Sequence, residues 1–200
     1  MKIPMKLAVR FRWFPVFAAL IHSAAANETY KFDAARSMIG FRAHQFFAAP
    51  TGKFTRFSGN IDLDRQHPER SSVSARIQVN SIDTGLKQRD DHLRSPEFLN
   101  VANFPDITFK SRTVKQTGQQ SGDIVGDLTM HGVTKPITLH VKLATPLRDE
   151  SSLQRTRWEV TTEPLNRHDF GLVFGSATEA VFGISADVAV KIEIEAVKSP

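Results

Sequence analysis

Ile184–Glu195 reads ISADVAVKIEIE, and its alternation is the clearest in the chain. Ile184, Ala186, Val188, Val190, Ile192 and Ile194 fall on one side, and Asp187, Lys191, Glu193 and Glu195 on the other. A period of two sends successive side chains to opposite faces of a strand, so the segment predicts a strand with one apolar and one wet face. The pattern recurs upstream. Val73, Ala75, Ile77 and Val79 alternate with Ser74, Arg76 and Gln78, and Ile107 and Phe109 with Thr108 and Lys110. Ile124, Gly126, Leu128 and Met130 alternate with Val125, Asp127 and Thr129. Ile137, Leu139, Val141 and Leu143 alternate with Thr138, His140 and Lys142. Further strands are expected at Thr29–Asp33, Met38–Ala43, Phe54–Leu63 and around Thr156–Thr162, where Trp158 and Val160 share a face. About eight strands with mostly short links are the cue for an antiparallel sandwich or barrel.

Turn chemistry joins these strands. His131-Gly132-Val133-Thr134-Lys135-Pro136 sits between two alternating runs, so Leu128–Leu143 reads as a hairpin with glycine in its tight part. Thr117–Gly122 is a second polar, glycine-bearing turn. One connection differs from the rest: Ser81–Phe109, SIDTGLKQRDDHLRSPEFLNVANFPDITF. It is long and part apolar, whereas most loops span about 4–6 residues. Lys87–Arg94 fits two helical turns, and Ser95-Pro96-Glu97 reads as the start of a short helix carrying Phe98 and Leu99. The expectation is a small helical insert lying over one end of the strands.

Composition narrows the function classes. The chain has 200 residues, 40% of them hydrophobic, which suits one all-β domain. Lys2, Lys6, Arg10 and Arg12 followed by the apolar Trp13–Ile21 and the small residues Ser23-Ala24-Ala25-Ala26 read as a secretory leader, residues 1–26, with Asn27 the first mature residue. The domain is then 27–200, and the expected destination is the periplasm. Of 26 Lys and Arg against 21 Asp and Glu, four bases and no acids lie in the leader, which leaves 22 against 21. Bases and acids alternate along the strands rather than forming the clustered basic patch that nucleic acid requires, so no nucleic-acid partner is expected. With no cysteine, the chain has no thiolate nucleophile, no Cys-metal site and no lipoprotein anchor at the cleavage point.

An eight-stranded closed sheet either fills with side chains or holds one small ligand, and periodicity cannot separate these cases. Family likeness bears on the choice. Ser37-Met-Ile-Gly-Phe41-Arg-Ala-His44, Gly52-Lys-Phe54, Phe57-Ser-Gly59-Asn-Ile61-Asp62 and Asp83-Thr84-Gly85 occur in order. They are followed by Arg89-Asp90, His92-Leu93-Arg94-Ser95, Phe98, Phe104-Pro105, Leu128-Thr129, His131–Pro136, Arg167, Asp169 and Phe170-Gly171. Across the whole mature chain this resembles the YceI-like family of secreted bacterial proteins. One departure is Arg36, where the family usually has a histidine before the serine. The resemblance implies an all-β fold, an eight-stranded antiparallel lipocalin-like barrel with a short helical insert. It also implies a long apolar molecule held inside: a polyisoprenoid such as a quinone or prenyl lipid, or a fatty-acid derivative. Each buried CH₂ of such a guest contributes about 0.8 kcal/mol. No metal or other cofactor is expected, and the implied protein is a binding or carrier protein rather than an enzyme. Transient membrane contact and a homodimer are compatible with that reading.

The expected apolar lining is Phe41, Phe54, Ile77, Val79, Phe98, Phe104 and Phe109, with Leu128, Leu139, Val141, Trp158, Phe170, Val188 and Val190 completing it. Arg89, Asp90, His92, Arg94, His131 and Arg167 are the candidates for holding a head group or pinning the insert as a lid. Arginine's planar fork suits diphosphate or quinone oxygens. The plainer reading is that Arg89 and Asp90 brace the insert and that His131 is a turn residue. Two other functions stay open at this point. A hydrolase or metal enzyme would need the His92 and His131 region to converge, although no GxSxG elbow and no HxH or HExxH spacing exists. A structural or stress-response barrel acting through protein contacts would have a filled interior. A void longer than about 15 Å, within the roughly 300–1,000 Å³ typical of ligand pockets, separates the carrier from the filled barrel.

Overall fold

The structure is a computed structural model and describes residues 27–45, 48–144, 154–174, 179, 181 and 183–200. The leader expected at residues 1–26 lies outside the described residues. The strand segments are β1 Glu28–Phe32, β2 Met38–Ala43, β3 Thr51–Phe54, β4 Phe57–Leu63, β5 Ser72–Gln78 and β6 Ile82–Asp83. They continue as β7 Asp106–Gln116, β8 Ser121–Met130, β9 Val133–Leu143, β10 Arg155–Thr161, β11 Leu165–Asn166 and β12 Asp187–Lys198, and α1 spans Lys87–Arg94.

These segments make eight staves, because four of the staves are broken once. β1 and β2 run in line along one edge of β12, Phe32 opposite Ala196 and Met38 opposite Glu193. β3 and β4 continue each other beside them, and β5 and β6 do the same in the next position. β10 and β11 lie in line along the other edge of β12. Each stave is antiparallel to the next, and β12 returns to β1 and β2, so the sheet closes as an eight-stranded antiparallel barrel. The sequence expected this architecture.

Serines stitch the breaks. Ser37 donates its hydroxyl to the carbonyls of Asp33 and Glu195 and accepts from the Glu195 N–H, which ties the β1–β2 break to β12. Ser81, 5% exposed, accepts from the Arg56 N–H and donates to the Gln78 carbonyl. It thereby fastens the β3–β4 break to the β5–β6 break. Backbone groups that leave the ladder at a break need such partners, or burial leaves them unpaid.

The alternation resolves as expected: apolar residues point inward and charged ones outward. Ile194, Ala196, Phe109, Ile124, Leu128 and Val160 are buried, while Lys191, Lys110 and Lys142 face water. This is the reverse of a membrane-spanning barrel, whose outer band is apolar. The β8–β9 hairpin turns on His131 and Gly132, with φ of 51° and 76°. Positive φ at both central residues defines the tight turn whose twist matches the flanking strands.

Three local expectations are corrected. Val79 does not continue the inward row of β5; it enters a short 3-10 turn, Val79–Ser81, and its N–H donates to the Pro105 carbonyl. Ser95-Pro96-Glu97 starts no second helix. The Phe98 and Asn100 N–H groups both bond the Ser95 carbonyl and the Leu99 N–H returns to Leu93, closing a compact turn before a helical ladder can begin. The last strand begins at Asp187, because the Ala186 carbonyl accepts from Arg167 and the Ser185 N–H donates to His44.

Candidate ligand cavity

The inward faces do not meet. They enclose a cavity of about 810 Å³ that extends from the helical end of the barrel to the far end. Along β12 it is lined from Val188 to Ile194. That path of six residue steps is about 20 Å at the rise of a strand. For a usual barrel tilt it projects to about 15 Å along the axis. A filled interior, the premise of the structural-barrel alternative, is therefore overturned.

Of the expected lining, Phe41, Phe54, Ile77, Phe98, Phe109, Leu128, Leu139, Val141, Trp158, Val188 and Val190 border the cavity. Val79, Phe104 and Phe170 do not. Val79 is 2% exposed beneath the insert. Phe104 packs edge-on against His131, ring centroids 4.5 Å apart, and covers Gly132. Phe170, 2% exposed, lies in the 3-10 turn Arg167–Phe170 and accepts a bond from His131 through its carbonyl. All three close the helical end instead of touching the lumen.

The polar candidates separate in the same way. Arg89, His92 and Arg167 border the cavity, beside Gln45, Thr51 and Thr84. Arg89 donates from Nε to the Thr84 hydroxyl at 2.8 Å and from one terminal nitrogen to the Thr84 carbonyl at 2.9 Å. Asp90, 7% exposed in the first turn of α1, accepts from the Thr84 N–H and hydroxyl at 2.8 and 2.6 Å. Thr84 is thus held from both sides, which pins α1 over the barrel end. Asp90 does not reach the lumen. Arg94 donates to the carbonyls of Asn80 and Ile82, so it is a brace as well. His131 is clamped between Phe104 and the Phe170 carbonyl. Asp90, Arg94 and His131 do not border the cavity, and the hydrogen bonds they make go to the frame, which is the bracing role of the plainer reading.

Arg167 borders the cavity yet acts mainly as a frame residue. It is 4% exposed, donates to the carbonyls of Leu172 and Ser185, and pairs with Glu179 at 2.7 Å. The Arg167 hydrogen bond is the main reason the Glu179 carboxyl sits below its ordinary range. Its guanidinium also lies 5.0 Å from the centre of the Phe174 ring, which stacks on Phe98 at 4.3 Å and faces His92 at 5.9 Å. His92 and His131 thus have different partners and form no common polar site. Among the described residues no group of three His, Asp or Glu side chains is placed to hold a metal ion.

The sequence reading missed part of the wall. Phe32, Ile39, Ile61 and Val73 line the cavity, as do Val114 and Gln116 beyond an irregularity between Ser111 and Thr113. That bulge shifts the inward parity of β7 by one residue, so alternation counted from Phe109 points the wrong way after it. Alternation also does not show that three inward strand glycines are each covered by a phenylalanine ring: Phe41 over Gly52, Phe32 over Gly59 and Phe109 over Gly126. A glycine inside a strand is the available signal, because it marks close approach of another group.

Fold and cavity together define a class: a closed antiparallel barrel of lipocalin type around an apolar lumen. The chain belongs to the YceI-like family, whose domain matches residues 30–196. Protein YceI of Salmonella agona (strain SL483) is 44% identical over 133 residues, 64% of this chain and 69% of that protein. Protein YceI of Salmonella newport (strain SL254) is 45% identical over 124 residues, 60% of this chain and 64% of that one. The chain thus spans about two thirds of the length of these relatives. In three dimensions it is similar to Burkholderia cenocepacia BcnA, with a TM-score of 0.73 at 21% identity over 82% of this chain and 98% of that one. It is also similar to a polyisoprenoid binding domain from Saccharophagus degradans implicated in plant cell wall breakdown, with a TM-score of 0.63 at 20% identity over 85% and 98% of the two chains.

Proposed function

We propose that this chain is a binding or carrier protein that holds one long apolar molecule, an isoprenoid quinone, another prenyl lipid or a fatty-acid derivative, inside its barrel. The observation that carries the reading is the apolar lumen of about 810 Å³. Such space, walled by Phe, Ile, Leu and Val, gains nothing from water and much from a hydrocarbon guest. The likeness to a domain described as polyisoprenoid binding supports the same class of guest.

The head group belongs at the helical end. There Arg89 borders the lumen with one terminal nitrogen outside its Thr84 contacts, beside His92, Gln45 and Thr51. A guanidinium meets an anionic or carbonyl oxygen with directed hydrogen bonds. The chain acts by binding rather than by catalysis, and it works in the periplasm after the leader is removed at Ala26. N-terminal sequencing of the exported protein should then begin at Asn27.

The test uses residues 27–200 and a fluorescent apolar probe. Saturable uptake at one site, displaced by geranylgeraniol and by geranylgeranyl phosphate, is the expected result. Arg89→Gln should weaken the phosphate about tenfold or more while leaving the alcohol nearly unchanged, the scale of a hydrogen bond to a charged group. Absence of saturable uptake contradicts the reading.

A further inference from the structure

The three ring-covered glycines all lie in the cavity wall, beneath rings that border the lumen. Gly52 lies directly opposite Phe41 in the β2–β3 pairing, so both face inward on neighbouring strands. A Cβ at Gly52 would lie 2.8 Å from Phe41 Cε1 and 2.9 Å from the Thr84 methyl. A Cβ at Gly59 would lie 2.7 Å from Phe32 Cδ2, and one at Gly126 would lie 2.7 Å from Phe109 Cε2. Each ring therefore places edge atoms over bare backbone where a side chain would otherwise stand, and each ring also borders the cavity. A side chain at the glycine would displace the ring, and the open space each ring borders is the lumen.

We propose that these glycine seats, and Gly52 under Phe41 above all, are specificity-determining positions that give the lumen the bore a methyl-branched chain requires. The inference rests on the carrier reading and adds to it the class of chain admitted. A prenyl or phytanyl chain is wider than a linear alkyl chain at every branch point. Rings laid against the wall leave room for those methyls, and a ring tipped inward removes it first. The Phe41 seat lies beside Thr84 and Arg89, at the end where the head group is placed, so a chain must pass it.

Gly52 is the position to test. At Gly59 and Gly126 an added methyl also meets a neighbouring carbonyl, Ser74 O or Lys110 O, at 2.6 Å, which would disturb the strands themselves. At Gly52 the nearest atoms are all side-chain atoms. The probes are phytanol and hexadecanol, which share a main chain and differ only in branch methyls. Both are measured by displacement of a fluorescent apolar probe whose affinity is determined for each variant.

Gly52→Ala should weaken phytanol about tenfold or more and leave hexadecanol within about threefold, the scale expected when a packed site is overfilled. Phe41→Leu, which needs no seat, should bind phytanol with Gly52 retained and equally in combination with Gly52→Ala. That double variant keeps the test decisive if Gly52→Ala alone folds poorly. Equal loss of both alcohols in Gly52→Ala, no loss of either, or failure of the double variant to recover phytanol overturns the inference. Wild-type protein that binds neither alcohol refutes the carrier reading itself, a different result.

Discussion

Tyr30 is the single tyrosine of the chain and is 1% exposed. Its hydroxyl donates to Glu28 at 3.0 Å. Burial, reinforced by the hydrogen bond and charge of Glu28, pushes the phenol from 10.0 up to about 12. A raised phenol favours the neutral form in the fold, so its contribution to stability is complete below pH 10 and is lost as pH climbs towards 12. Ultraviolet titration of tyrosinate should give a midpoint near 12 in the native protein and near 10 in urea; coincident midpoints contradict the burial argument. Thr84 offers a second residue-scale test. Asp90→Ala leaves the half-buried Thr84 N–H without its acceptor, and urea unfolding should show a loss of about 1–3 kcal/mol. Binding of an apolar guest should weaken with it as α1 loosens. Stability within error of an exposed control such as Glu97→Ala would show that Asp90 does not pin the insert.

At the scale of elements, the break between β1 and β2 is held by charge. Burial alone would raise the Glu195 carboxyl, but hydrogen bonds from Arg155 and Arg157 and the charges of Arg155 and Arg36 outweigh it and keep the group below its ordinary 4.5. A depressed carboxylate stabilises the fold above its unfolded value and loses that contribution as pH falls. Acid unfolding should therefore steepen below pH 4.5, and Glu195→Gln should flatten that slope; an unchanged slope contradicts the account. Arg36, the departure from the family's usual histidine, sits 3.6 Å from Glu195 and joins this cluster, although it is largely exposed. The β8–β9 turn gives another test. Gly132→Ala faces both a φ of 76° and the Phe104 ring at 2.7 Å, so it should cost about 1–2 kcal/mol or more in thermal melts. The strands and this turn were legible in the sequence because alternation and the His131-Gly132 pair are local signals. The gap between Thr29–Asp33 and Met38–Ala43 also showed the break at Ser37, but the breaks on either side of Ser81, the β7 bulge and the turn after Ser95 were not legible. Each is decided by hydrogen bonds to partners distant in sequence or by competition for one carbonyl.

For the whole molecule, the alternating pattern told that the barrel has an apolar inside but not that the inside is open. Openness depends on how rings lie: Phe41, Phe32 and Phe109 rest on glycines from neighbouring strands, and no single-strand pattern records that pairing. Val79, Phe104 and Phe170 carry the right chemistry for the lumen and were drawn to the closed end by the insert and the 167–172 turn. A guest that binds only the folded barrel should also stabilise it, by about 2.7 kcal/mol at a free concentration one hundred times its dissociation constant. The most direct measurement is organic extraction and mass spectrometry of the protein purified from the periplasm of an exporting bacterium. The account expects close to one long isoprenoid or acyl molecule per chain. A barrel that yields no extractable guest, and takes up none when incubated with prenyl quinones, would contradict it.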